Sequence, residues 1–354
     1  MEKQNFLNLF ADCKLTKGHT RTLAVDVTRG KTYALENDAY DFIMSCKKKS
    51  YKEVLASYAD EEQKAIGELV KYLISKDLCF FSENPERFPE ISETWDSPSV
   101  ITNAIIDVDA EIHDFENLIP QLTDLGCYDI QLRFYSTIPL SELERLTALI
   151  SESSIKSVEL YLKSSTELTK KVLKDLARRY FKIKNLIVHS HHFNEVYIIY
   201  KERYRNNMGN ILFVKQKVTD ETHCGAISSH YFVQDNMQFF NEAQKNNTCL
   251  NRKISIDKYG MIKNCPSLSK GYGHYKDIRL TEALTLAGFK DTWSISKSQI
   301  SVCKDCEYRN VCVDCRAYTT DSKNAYAKPL KCDYDPYTGV WAKKAVSELD
   351  LNSI

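Results

Sequence analysis

Two short cysteine turns near the C-terminus, Cys303-Lys-Asp-Cys306 and Cys312-Val-Asp-Cys315, stand five residues apart. Cys249 and Cys265 precede them and Cys332 follows, giving the order C-x10-G-x4-C, then C-x2-C-x5-C-x2-C, then C, with Gly260 as the glycine. Thiolates are soft ligands, and a C-x2-C turn presents two sulfurs to one metal centre across a short loop. Seven ordered thiols exceed what one tetrahedral ion can use. The spacing therefore implies a polynuclear centre or two sites. A structural zinc ribbon on Cys303, Cys306, Cys312 and Cys332 is the plainer alternative.

With the local text Cys306-Glu-Tyr-Arg-Asn-Val-Cys312 and Cys315-Arg-Ala, this order resembles the SPASM domain of radical-SAM peptide-modifying enzymes. The family usually has C-x3-C where this chain has Cys312-x2-Cys315. The resemblance implies one four-iron cluster on Cys303, Cys306, Cys312 and Cys332, and a second served by Cys249, Cys265 and Cys315. Some family members supply a fourth cysteine shortly after the first, but none lies between Leu250 and Asn264. The second cluster then keeps an open iron or borrows Cys224, His223 or His230. The expected cofactors are two [4Fe-4S] clusters, with zinc as the alternative, and no S-adenosylmethionine.

These residues sit in a chain of 354, long enough for two or three domains. Lys+Arg and Asp+Glu both total 48, so there is no basic excess of the kind a nucleic-acid surface needs. A zinc-bearing nucleic-acid module remains the second alternative function. The N-terminus has no basic stretch leading into an apolar run, and no run approaches the ~18 apolar residues of a membrane span. Twelve cysteines without a secretory signal suggest thiols kept for metal in a reducing compartment, and a cytoplasmic location is expected.

The elements that would position the cysteines read in three parts, divided as 1–84, 85–99 (a Pro-bearing linker), 100–240 and 241–354. Alternation on both sides of Gly30 gives a β-hairpin from Thr20 to Leu35, and three helices follow over 39–46, 51–58 and 61–76 before a short strand at Leu78–Phe81. This winged-helix-like pattern resembles the PqqD-like leader-recognition element of ribosomal-peptide maturation systems. The resemblance implies that a leader peptide adds as a strand beside Lys31, Thr32, Tyr33, Ala34 and Leu35 and packs on Ile66, Leu69, Val70 and Leu73 of the third helix.

Strands and helices then alternate from Val100 to Val218, which argues a parallel α/β sheet or partial barrel. Its place before the cysteine run resembles a radical-SAM core. The cluster motif of that family, C-x3-C-x2-C after the first strand, is absent from Ile105–Asp114, and Phe134–Pro139 replaces its Gly-Gly-Glu. The combined pattern resembles the SPASM maturase of grasp-with-spasm graspetide systems: an α/β protein with a winged-helix-like domain, a degenerate radical-SAM-type partial (β/α) barrel and a SPASM domain. It implies an accessory pseudo-enzyme that binds a precursor leader and presents the peptide to an ATP-grasp ligase. The alternative is a cluster-dependent peptide-modifying enzyme acting at an open iron. Cys13, Cys46, Cys79 and Cys127 sit singly in apolar surroundings and read as core. His189 and His191 would share one face of an extended strand, with His192 on the other.

Overall fold

The computed structural model describes residues 5–109, 111–199 and 209–342. Its N-terminal unit runs β1 (Phe6–Leu9), β2 (Cys13–Lys17), β3 (Thr22–Asp26), β4 (Lys31–Leu35), α1 (Asn37–Cys46), α2 (Tyr51–Leu55), α3 (Asp60–Ser75) and β5 (Cys79–Ser82). The hairpin expected around Gly30 is β3–β4. Gly30 takes the left-handed φ of 64° that the turn requires, and the Asp26 carboxylate accepts from the backbone N–H groups of Thr28 and Arg29. Two strands escaped the sequence reading. β2 extends the hairpin to an antiparallel sheet ordered β2-β3-β4, and β1 pairs with β5.

Alternation along β3 sends its side chains to two different cores. Ala24 joins Phe42, Ile43, Val70 and Leu73 under the helices, while Leu23, Val25 and Val27 pack outward on Phe240 and Val311. Cys13, Cys46 and Cys79 belong to the first of these cores, and burial pushes the Cys13 thiol up to about 12.

The middle of the chain supplies β6 (Asn103–Val108), α4 (Phe115–Asp124), β7 (Asp129–Phe134), α5 (Leu140–Glu152), β8 (Ser157–Lys163), α6 (Lys170–Arg179), β9 (Ile183–His189), β10 (Glu195–Ile198) and β11 (Asn210–Phe213). After α7 (Met237–Ala243) come β12 (Lys253–Ile256) and β13 (Ile262–Lys263). The expected strand reaching Tyr200 ends at Ile198, and Tyr200 lies outside the described residues. One eight-stranded sheet results, ordered β10-β11-β9-β8-β7-β6-β12-β13. Its six inner strands are parallel, and each end is closed by an antiparallel neighbour. The sheet crosses the division at 240/241, because β12 and β13 come from the cysteine-bearing segment.

The two faces of this sheet differ sharply. Ala104, Ile106, Ile130, Leu132, Val158, Leu160, Leu186, Val188, Ile254 and Ile256 share one apolar core with α4, α5 and α6. Their alternates (Asn103 and Asp107, Gln131 and Arg133, Glu159 and Tyr161, Asn185 and His189, Lys253 and Ser255) make the opposite face mainly polar, with Ile105 and Ile187 as its apolar members.

Candidate metal centre

Asparagine side chains shape the loops that carry the upstream cysteines. Asn247 Oδ1 accepts from the N–H groups of Cys249 at 3.0 Å and Leu250 at 2.9 Å. Asn264 Nδ2 donates to the carbonyls of Leu250 at 3.0 Å and Lys253 at 2.8 Å, locking Cys265 beside the start of β12. Downstream, Cys306 N–H closes a tight turn on Cys303 O at 3.0 Å, and Cys312 N–H closes another on Tyr308 O at 3.0 Å.

The electrostatic neighbours of each thiol sort the cysteines into two sets. Cys303 feels Cys332, Cys306 feels Cys312 and Cys303, and Cys312 feels both Cys332 and Cys303. Cys265 feels Cys249 and Cys224, and Cys315 feels the same two. Burial pushes the Cys265 thiol up to about 12 and the Cys312 thiol up to about 11, so a metal must displace their protons to bind. Among the described residues, no three His, Cys, Asp or Glu side chains converge on a single ion.

Each set also faces a buried cation. Lys253 is buried and its ammonium donates to Cys249 Sγ at 3.4 Å, with the Glu242 carboxylate as a further electrostatic neighbour. Lys297 lies 3.4 Å from Asp314, but that carboxylate also pairs with Arg316 at 2.8 Å, leaving one positive charge in excess next to Cys303 and Cys312. An uncompensated buried ammonium is costly, and an anionic centre beside it removes that cost. The donor sets therefore fit thiolate-held clusters, whose net charge is negative. Sequence spacing gave no signal for either lysine.

After β6, residues 111–114 are held by packing. Tyr275 Oη donates to Ile112 O at 2.7 Å and accepts from Asp114 N–H at 2.8 Å. His113 is buried, its Nε2 at 3.0 Å from Asp257 O and its Nδ1 at 3.1 Å from Asp109 N. On the polar face, Arg133 Nε donates to Asp107 Oδ1 at 2.5 Å, with both side chains buried. Arg133 Nη2 has no partner among the described residues.

The paired-histidine face does not form. Ser190 adopts φ 57°, which breaks the strand alternation. His189 stays buried with Nε2 at 2.9 Å from Phe134 O, whereas His191 turns to Ser164 Oγ at 2.8 Å in a cleft of about 540 Å³ also lined by Phe193 and Tyr197. Burial holds His113 and His189 below the ordinary imidazole range. The unfolded chain therefore takes up protons below about pH 6.5 while the native one does not. The contribution of these two rings to stability is full above that pH and falls on acidification, by up to about 1.4 kcal/mol per pH unit for each ring. Urea midpoints at pH 7.5 and 5.5 check one ring: the change in midpoint on acidification should be less destabilising in His189→Gln than in the wild type, with Glu242, raised by burial to about 7, contributing in the opposite sense in both.

Of the remaining candidates, His223 faces Asp220 at 3.7 Å, and His230 lines a cleft with Arg29 and Gly30. In the N-terminal unit, β4 has one partner, β3, so its outer edge is unpaired among the described residues. Ile66, Val70 and Leu73 do not line that edge as a groove. The helix turns them into its own core, leaving Leu69 half-buried and Tyr72 39% exposed against Tyr33.

A joint missed by the sequence reading ties the N-terminal unit to the cysteine loop. Glu307, fully buried, accepts from Arg21 Nε at 2.6 Å and Tyr334 Oη at 2.5 Å. Arg309 Nη1 donates to Lys17 O at 2.8 Å, Asn310 Nδ2 to Thr16 Oγ1 at 3.1 Å, and His19 N–H to Asp305 O at 2.7 Å. The turn between β2 and β3 thus sits on the five residues between Cys306 and Cys312.

No family model matches the chain, and no curated protein matches it. Among solved structures, SuiB of Streptococcus suis bound to S-adenosylmethionine is similar at 10% identity and a TM-score of 0.39, covering 91% of this chain and 98% of that one. A second SuiB structure is 12% identical at a TM-score of 0.37, covering 92% of this chain and 100% of that one. Likeness at this level assigns no residue and no chemistry. No helix among the described residues is long and apolar enough to cross a membrane.

Proposed function

We propose that the chain is an accessory protein of ribosomal peptide (graspetide) maturation that holds two [4Fe-4S] clusters, captures a precursor leader and presents the peptide to an ATP-grasp ligase. The observation that supports this reading is the sorting of the cysteines into two sets, buried or half-buried, each beside a buried lysine. Cys303, Cys306, Cys312 and Cys332 would hold one cluster, and Cys249, Cys265 and Cys315 would serve the other. Such clusters supply electron storage and cross-link a segment with little regular structure. The chain's own residues do the rest. The free backbone edge of Lys31–Leu35 accepts a leader strand, with Leu69 and Tyr72 of α3 alongside to select its side chains. No S-adenosylmethionine chemistry is assigned, since Ile105–Asp114 carries no cysteine.

Iron, acid-labile sulfide and zinc per chain, measured after anaerobic purification, test the reading. About eight irons with matching sulfide are expected for two four-iron clusters. Zinc without sulfide would overturn it and leave a purely structural metal.

A further inference from the structure

We infer that Cys224 is the fourth ligand of the second cluster, completing a set with Cys249, Cys265 and Cys315. The inference rests on the iron–sulfur reading above and settles which of its open ligand positions this chain fills. Cys224 lies outside the cysteine run, 25 positions before Cys249. Tertiary contacts bring it back.

The segment around it is pinned on both sides to the cysteine-bearing region. Lys331 Nζ donates to Thr222 O at 2.5 Å and to Cys224 O at 2.6 Å. Ile227 N–H donates to Lys331 O at 3.3 Å, and Ile227 bridges to Cys332. Glu221 O accepts from Ser267 Oγ at 3.2 Å and Tyr318 Oη at 3.4 Å, residues two beyond Cys265 and three beyond Cys315. Next to Cys224, Gly225 has φ 84°, and a Cβ there would stand 2.9 Å from Cys315 Sγ. Only glycine permits that approach. The glycine brings the backbone of residue 225 onto one proposed ligand while its neighbour supplies another.

Two buried cations face the same place. Lys253 has the thiols of Cys249, Cys265 and Cys224 among its electrostatic neighbours, along with the Glu242 carboxylate. Arg133, with Nη2 unpartnered among the described residues, also has Cys224 nearby. The competing histidines are turned to Asp220 and to the Arg29–Gly30 cleft. With four thiolates the second cluster has no iron open to a peptide carboxylate or amine. It is a closed electron-storing and structural centre, which favours the accessory function over catalysis at an open iron.

Cysteine alkylation read by mass spectrometry tests this on the native protein. Anaerobic holoprotein is treated with iodoacetamide before and after iron is stripped with a chelator. Cys224 should be protected alongside Cys249, Cys265 and Cys315 and released with them. Alkylation of Cys224 in holoprotein whose other three are protected would overturn the inference. Cys224→Ser gives a second readout by Mössbauer and EPR spectroscopy with added cyanide. Its iron should fall from about eight to about four, or its spectrum should become cyanide-sensitive while the wild type stays insensitive. Wild-type iron content, spectrum and insensitivity in Cys224→Ser would also overturn it. A wild-type protein without iron or sulfide defeats the cluster reading itself, a separate outcome.

Discussion

Asp107→Ala is expected to lower the unfolding free energy by about 3–5 kcal/mol, since it strands the Arg133 guanidinium on the polar face of the sheet. The two side chains are 2% and 7% exposed, so water cannot replace the lost carboxylate. The pair itself is worth far less than the cost of breaking it, because both charges were desolvated to make it. Asp107→Leu combined with Arg133→Met should therefore recover most of the loss. Urea unfolding of the wild type, both single variants and the double variant measures the coupling. A single-variant cost under about 1 kcal/mol would mean that solvent or another group reaches Arg133.

The second large effect belongs to Glu307. Its carboxylate is fully buried and takes hydrogen bonds from Arg21 and Tyr334 through one oxygen, while Oε2 has no partner among the described residues. Glu307→Ala removes the acceptor from both donors at the joint between the N-terminal unit and the cysteine loop. Arg21 is 32% exposed and rehydrates in part, so the loss should be about 3 kcal/mol, at the low end for a broken buried pair. Glu307→Gln keeps the shape and the acceptor and should lose about half as much. Limited proteolysis separates this from a general loosening. Cutting in the 85–99 linker should accelerate before cutting within the parallel sheet. Equal acceleration at both places would refute a joint specific to the N-terminal unit.

Much of this arrangement was legible in the sequence where it rests on local pattern. The hairpin at Gly30, α1 to α6 and β6 to β9 follow from periodicity and turn chemistry. What escaped depends on partners distant in the chain. Lys253-Ile-Ser-Ile256 is too short to declare itself a strand until β6 offers its free edge for parallel pairing. Likewise, Phe6–Leu9 becomes a strand only against Cys79–Ser82. The apolar stripe of α3 was visible, but periodicity alone does not say whether Ile66, Val70 and Leu73 face a core or a ligand. At the candidate site, spacing marked the seven cysteines of the run. It left Cys224 level with His223 and His230, because the choice among them turns on where Lys331 and Gly225 anchor the segment. Lys253 and Lys297 carry no motif at all, and only their burial beside thiols marks them.

The joint at Glu307 also sets a clock on biosynthesis. Arg21 and Glu307 are 286 positions apart. At ~5–20 residues per second the ribosome needs roughly 15–60 s to deliver the second after the first. Through that interval β3 has its helical core on one side, while Leu23, Val25 and Val27 on the other lack Phe240 and Val311. The nascent N-terminal unit therefore emerges with an uncovered apolar strand face, of the kind chaperones recognise. Translation that stops before Val311 leaves that face exposed for good. A fragment ending at residue 84 should accordingly aggregate where the full chain does not.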